Sequence, residues 1–327
     1  MSTATLSRVD DHVLAFDDTV TKAVRETSEQ LTAVEGPVDG AAWTAAAGDA
    51  WHRLPAELRQ AVSRFRRHSG DQGVLLLRGL PVGEDLLPDT PATLDSVQSE
   101  PSVSAAVLMM IASGLGDPAA FRPEKNGALV QNVVPVPGNE EVQGNPGSVE
   151  LTFHTENAFH AHRPDFVLLM CLRSDHEGVA GLRTSCVRQM LPMLSWVDRE
   201  ALYRADYVTA PPPSFGGRNN HVAEHAVLVG DLFDPDLRVD FAATTTRSGQ
   251  AELAMAELES ACHAQALEFR LRPGDLALVD NRVTLHGRTA YRPRYDGRDR
   301  WLQRTFVLTD LRRSRRHRPN DGNVLVR

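Results

Sequence analysis

The stretch Ser148-Val149-Glu150-Leu151-Thr152-Phe153-His154-Thr155-Glu156-Asn157-Ala158-Phe159-His160 decides how this chain is read. Its first half approaches as a strand, and on a strand His154 and Glu156 point to the same face and can bind one ion. A second imidazole, His286, lies in Asp280-Asn281-Arg282-Val283-Thr284-Leu285-His286-Gly287-Arg288, just after the apolar run 276–279. A strand followed by a Gly-punctuated turn is a good place to present a ligand. If the fold brings this distant strand alongside, two imidazoles and one carboxylate occupy one face of an octahedral metal. The opposite face stays open, the arrangement of non-haem Fe(II) oxygenases. An H-x-E triplet by itself is more often surface chemistry, and it is the flanking strands that raise this one. Downstream, Arg300 offers a fixed guanidinium, the natural partner for the far carboxylate of a dicarboxylic co-substrate such as 2-oxoglutarate.

Around these residues the pattern is mainly β with helices. Candidate strands fall at 73–79, 129–134, 150–154, 166–172, 182–187, 226–229, 238–242, 267–271, 276–279 and 301–308. Apolar positions at helical spacing predict an amphipathic helix over 54–67, with Leu58, Val62 and Phe65 on one face. Ser102 is placed to cap a helix through 105–112, and further helices are expected at 188–194, 198–204 and 250–266. Many short strands with a few helical insertions favour a double-stranded β-helix, or jelly roll, carrying a helical N-terminal support. Residues 1–327 are expected to form one domain: a helix-rich support over 1–120, the jelly-roll core over 121–312 and a basic tail over 313–327. The Pro- and Gly-rich connection at about 210–224 is long enough to serve as a lid.

With 327 residues and 42% hydrophobic, the chain can bury one sizeable core. A formal net charge of −8 argues against a nucleic-acid binder, which needs a basic face. The run Arg312-Arg313-Ser314-Arg315-Arg316-His317-Arg318 is read as a solvated terminal extension. Cys171, Cys186 and Cys262 lack zinc-ligand spacing and are read as buried free thiols in a reducing compartment. No signal peptide and no membrane-spanning apolar run are read, so a cytoplasmic protein is expected.

Three blocks carry a family resemblance: Gly127-Ala-Leu-Val-Gln131-Asn-Val-Val-Pro135, the region from Gly144 to Arg173 with HTENAFH and HRPDFVLL, and Val279 to Arg304. Here the chain resembles the clavaminate synthase-like Fe(II)/2-oxoglutarate oxygenases, in particular the branch of asparagine oxygenases and arginine hydroxylases. The resemblance implies that His154, Glu156 and His286 hold Fe(II), and that Arg300 with Thr184 binds 2-oxoglutarate. It implies that Arg304 grips the α-carboxylate of an amino-acid substrate, Glu124 and Asn145 its amine and polar groups, and Asp240 its side chain. Even spacing on a strand puts Arg300 and Arg304 in one pocket, and Asp236, Arg238 and Asp240 on one face. Because Glu156 keeps the carboxylate ligand, hydroxylation is favoured over halogenation.

The leading expectation is therefore a hydroxylase of a free L-amino acid at C3, asparagine first, using Fe(II), 2-oxoglutarate and dioxygen in specialised-metabolite or non-ribosomal peptide biosynthesis. Aspartate, glutamine, arginine, lysine or a carrier-tethered aminoacyl group are the alternative substrates. A non-redox metal enzyme on the same scaffold and a metal-free binding module are the rivals from other classes. His160, His162, His221 and His225 are expected to be framework or surface histidines.

Overall fold

The computed structural model of the chain describes residues 12–216 and 223–326. Its N-terminal part is helical, with α1 (Asp18–Thr32), α2 (Ala41–Trp51), α3 (Ala56–Arg67) and α4 (Val103–Leu115). The Ser102 hydroxyl accepts from the Ala105 amide at 3.2 Å and starts α4 as the sequence predicts. Helix α4 is apolar all round, and for that reason it lies buried between the other helices and a sheet. On α3, Leu58, Val62 and Phe65 face inward while the arginines of its last turn face out.

The strands run β1 (Val13–Ala15), β2 (Val74–Arg78), β3 (Asp117–Phe121), β4 (Gln131–Val133), β5 (Leu151–His154), β6 (Phe166–Arg173), β7 (Gly181–Cys186) and β8 (Tyr207–Thr209). They continue as β9 (Leu228–Gly230), β10 (Pro235–Leu237), β11 (Thr244–Thr246), β12 (Leu267–Arg270), β13 (Leu276–Asp280), β14 (Thr284–Arg288), β15 (Trp301–Leu308) and β16 (Val324–Leu325). An eight-stranded sheet has the order β1-β2-β13-β6-β15-β3-β16, with β4 also paired to β15; a four-stranded sheet has the order β12-β7-β14-β5. This is the mainly-β, two-sheet jelly roll expected from the strand spacing.

Alternation along β15 shows how the layers are built. Trp301 and Val307 enter the core shared with the N-terminal helices, while Leu302 and Phe306 enter the core between the two sheets. On its other face the small sheet is covered by α5 (Val187–Met190), α6 (Trp196–Leu202), α7 (Gly249–Ala264) and the short hairpins, around Phe153, Tyr207 and Leu285. Among the described residues no helix is long and apolar enough to cross a membrane.

Two local expectations are corrected. Residues 238–242 form no strand: β10 ends at Leu237, and Asp240 makes only an isolated bridge to His154. The Asp240 carboxylate accepts from the Ala242 and Ala243 amides at 2.9 and 3.2 Å, a local turn that competes with strand pairing. His286 lies inside β14 and not in a turn after β13; the turn comes earlier, at 281–283.

His225 ties β8 to the following loop. Its Nδ1 donates to the Ala226 carbonyl, leaving Nε2 to accept from the Thr209 hydroxyl, each at 2.9 Å. Burial pulls its pKa down to about 4. Between about 6.5 and about 4 the unfolded chain binds a proton that the folded one refuses, so this contribution to stability is lost as pH falls. Thermal unfolding followed by circular dichroism should show a midpoint that drops through this window, and a shallower drop for His225→Gln. An identical pH slope in the variant would rule His225 out as the source.

Candidate metal centre and substrate cavity

Strands β5 and β14 are antiparallel neighbours, and His286 sits directly opposite His154. Their ring centroids are 4.4 Å apart. Gly287 permits the approach, since a Cβ there would stand 2.6 Å from the Leu151 carbonyl oxygen. His154 Nδ1 donates to the Thr152 carbonyl at 2.9 Å, which leaves the Nε2 lone pair free.

Glu156 arrives differently from what alternation predicts, because β5 ends at His154. A buried side chain holds its turn: Asn281 Oδ1 accepts from the Glu156 amide at 2.7 Å. Asn281 Nδ2 donates to the carbonyls of Glu156 and Pro164 at 3.1 and 2.9 Å. Ligand atoms of His154, Glu156 and His286 all lie within 4.8 Å of one another.

The protonation states suit a divalent cation. Burial, then the neighbouring His154, disfavours a proton on His286. Burial alone would raise the Glu156 pKa, but the Arg304 guanidinium, the His286 hydrogen bond and the imidazoles outweigh it and hold the carboxylate well below its usual range. Neutral imidazoles and an anionic carboxylate are the forms that bind metal, so the donor set fits iron(II).

Thr184 on β7 is cross-strand from His286, and its buried hydroxyl has no hydrogen-bond partner. Arg300 is also buried, with Nη1 unpartnered. The exposed ion pair that nearby Asp296 and Asp299 could have offered it does not form. Asp299 takes the Arg294 and Tyr295 amides at 2.7 and 2.6 Å, and Asp296 takes His176 at 3.0 Å. Unsatisfied buried donors of this kind fit an anionic ligand.

Beside the triad opens a cavity of about 1350 Å³, lined by Glu124, Asn145, His154, Glu156, Asp240 and Arg304 among others. Arg304, on β15, gathers the polar groups: Nη1 donates to Glu156 at 3.0 Å, and Nη2 to Gln131 at 2.5 Å and to Glu124. With its amide oxygen turned toward Arg304, Asn145 accepts from both Nη atoms at 3.2 and 3.0 Å. Pro211, Pro212, Pro213 and Phe215 close one side of the cavity.

A family model described as taurine catabolism dioxygenase TauD, TfdA family matches residues 36–306. The chain belongs to this family. This TauD/TfdA-family oxygenase is 58% identical to L-asparagine oxygenase of Streptomyces coelicolor over 95% of its length and 94% of the relative's. It is 33% identical to clavaminate synthase 2 of Streptomyces clavuligerus, over 79% of its length and 81% of the relative's. The solved structure of an asparagine oxygenase with Fe(II), 2S,3S-3-hydroxyasparagine and succinate superposes with a TM-score of 0.95 at 57% identity, covering 97% of this chain and 99% of that one. The chain is thus an Fe(II)/2-oxoglutarate-dependent dioxygenase of clavaminate synthase-like ancestry, as its motifs imply.

In this TauD/TfdA-family oxygenase the two arginines do not share one pocket. The cavity reaches Arg304, whereas Arg300 precedes β15 and packs against the Tyr291 ring at 5.7 Å. Nor do Asp236, Arg238 and Asp240 act together. Asp236 pairs with Arg282 at 3.8 Å, Arg238 donates to the Ala158 and Phe159 carbonyls, and only Asp240 lines the cavity. His160 packs edge-on to Phe121, and His225 is framework, while His221 lies outside the described residues. Sequence reasoning missed Asn281 and Gln131. The only available signal was a buried-type amide inside an otherwise apolar strand or turn, and such a signal does not name its partner.

Proposed function

We propose that this oxygenase hydroxylates free L-asparagine at C3, with His154, Glu156 and His286 holding Fe(II), and Arg300 and Thr184 holding 2-oxoglutarate. The observation that carries the reading is the pair of buried Arg304 and partly buried Glu124 facing the cavity next to Glu156. A zwitterionic amino acid satisfies both members at once, its carboxylate on Arg304 and its ammonium on Glu124, with Asn145 beside them. A carrier-tethered thioester would bring no carboxylate of its own to Arg304. When bound with 2-oxoglutarate and dioxygen, iron supplies the oxidant as the co-substrate becomes succinate and carbon dioxide. The chain's own part is to orient C3 and exclude water. The lid is assigned to the connection 210–224, whose described part lines the cavity through Pro211, Pro212, Pro213 and Phe215 while 217–222 lie outside the described residues, and 1–327 work as one domain.

Asp240 selects the side chain. One of its oxygens is occupied by two turn amides, leaving the other for a single N–H donor, such as a primary amide. A guanidinium would call for a second acid, and Asp236 is engaged with Arg282. The product, 3-hydroxyasparagine, would feed specialised peptide assembly. The decisive experiment incubates the protein with Fe(II), ascorbate, 2-oxoglutarate and each free amino acid, following succinate and a mass gain of one oxygen. Asparagine is expected to react fastest; faster turnover of arginine, lysine or a tethered aminoacyl group would overturn the substrate assignment. Asp240→Ala should raise KM for asparagine about tenfold, as expected for one lost charge-assisted hydrogen bond of ~1.5–3 kcal/mol. An unchanged KM would remove Asp240 from substrate recognition.

A further inference from the structure

The inner face of the small sheet holds a second arginine that the site described so far does not use. Arg288 follows His286 on β14, and the register pairs His286 with Thr184 and Arg288 with Leu182. His286, Thr184, Leu182 and Arg288 therefore share the face that looks into the space between the sheets. Arg288 is only 4% exposed and Arg300 only 6%. Both guanidinia lie over the ring of Tyr291, at 5.2 and 5.7 Å from its centroid, and their charges act on each other.

Neither has a carboxylate partner within ion-pair distance among the described residues. Arg288 Nη2 donates to the Val149 carbonyl at 3.0 Å, but Nε has no partner; Arg300 Nη1, the Tyr291 hydroxyl and the Thr184 hydroxyl have none either. Two buried like charges repel and lose solvation, and in most interiors an acid is placed between them. Here the sequence supplies an aromatic spacer and hydroxyls and leaves the negative charge to come from outside.

We propose that Arg288 and Arg300 jointly seat the distal carboxylate of 2-oxoglutarate, with Tyr291 holding the two guanidinia apart and contributing its hydroxyl. Arg288 is thus a binding residue that makes the site demand a dicarboxylate. The inference rests on the assignment of Arg300 to the co-substrate and is independent of which amino acid is hydroxylated. The Tyr291 face fixes the planes of both forks, so that charge and geometry together favour a carboxylate over a single compact anion.

The test is an anaerobic titration of Fe(II)-loaded protein with 2-oxoglutarate, and separately with 2-oxopentanoate, which keeps the keto acid but lacks the distal carboxylate. Binding is read from the weak visible charge-transfer band, alongside Fe(II) affinity and the thermal midpoint. Arg288→Gln is expected to weaken 2-oxoglutarate binding tenfold or more, leaving 2-oxopentanoate and Fe(II) binding unchanged. Tyr291→Phe is expected to weaken only 2-oxoglutarate, by a few-fold. Should Arg288→Gln fail to fold, Arg288→Lys keeps a charge without the fork and is expected to lose several-fold in 2-oxoglutarate affinity alone. Equal losses for both keto acids, or no loss for 2-oxoglutarate, would reduce Arg288 to a prop for Val149 and overturn the proposal. Absence of any band in the unaltered protein would overturn the co-substrate reading with it, whereas hydroxylation of another amino acid would overturn only the substrate reading.

Discussion

Replacing His154 or His286 with Ala is expected to abolish Fe(II) retention and all coupled turnover while the fold survives. Each imidazole is one of three side chains whose ligand atoms converge within 4.8 Å. Losing one leaves two donors, and affinity should fall by more than the ~10–100-fold typical of removing a group that merely supports a ligand. The fold should persist because backbone ladders hold β14 between β5 and β7. Metal analysis after desalting, circular dichroism and the charge-transfer band on anaerobic addition of 2-oxoglutarate read the three parts separately. Full iron occupancy in either variant, or a missing band in the unaltered protein at saturating co-substrate, would contradict the triad assignment.

Arg304→Ala is expected to raise KM for the amino acid about tenfold or more, matching loss of a charge-assisted bond of ~1.5–3 kcal/mol. Succinate formation should also outrun hydroxylation, because the target carbon is no longer held in place. The constant for 2-oxoglutarate should change little, since Arg300 lies apart from the cavity that Arg304 faces. Arg300→Lys should show the reverse pattern, as a lysine keeps the charge and loses the bidentate fork. Removing Arg304 also strands Glu124, a carboxylate whose pKa burial already raises against the opposing pull of Arg304. Some thermal destabilisation is therefore expected as well, and Arg304→Lys provides a milder comparison. Unchanged saturation by the amino acid in Arg304→Ala, or better turnover of a carrier-tethered thioester, would sink the free-amino-acid reading.

Much of this was legible in the chain itself. Chemistry bound to residue type needs no tertiary information: two imidazoles and a carboxylate specify a metal, and lone arginines among apolar strands specify acids. The helix period was readable on α3, where one face is buried, and β15 as a strand buried on both faces, because burial imposes the pattern on the sequence. The tertiary structure decided the rest, through contacts between residues far apart in sequence. Glu156 reaches the metal position because Asn281 pins its turn, not because a strand continues. Asp240 reaches the cavity because its carboxylate captures two local amides and ends the extended chain. The even spacing of Arg300 and Arg304 foretold one pocket, yet Tyr291 and Arg288 claim the first arginine while Glu124, Gln131 and Glu156 claim the second. Spacing fixes which face a side chain starts from. Which buried charge it then meets is set by the packing of two sheets, and no local period carries that information.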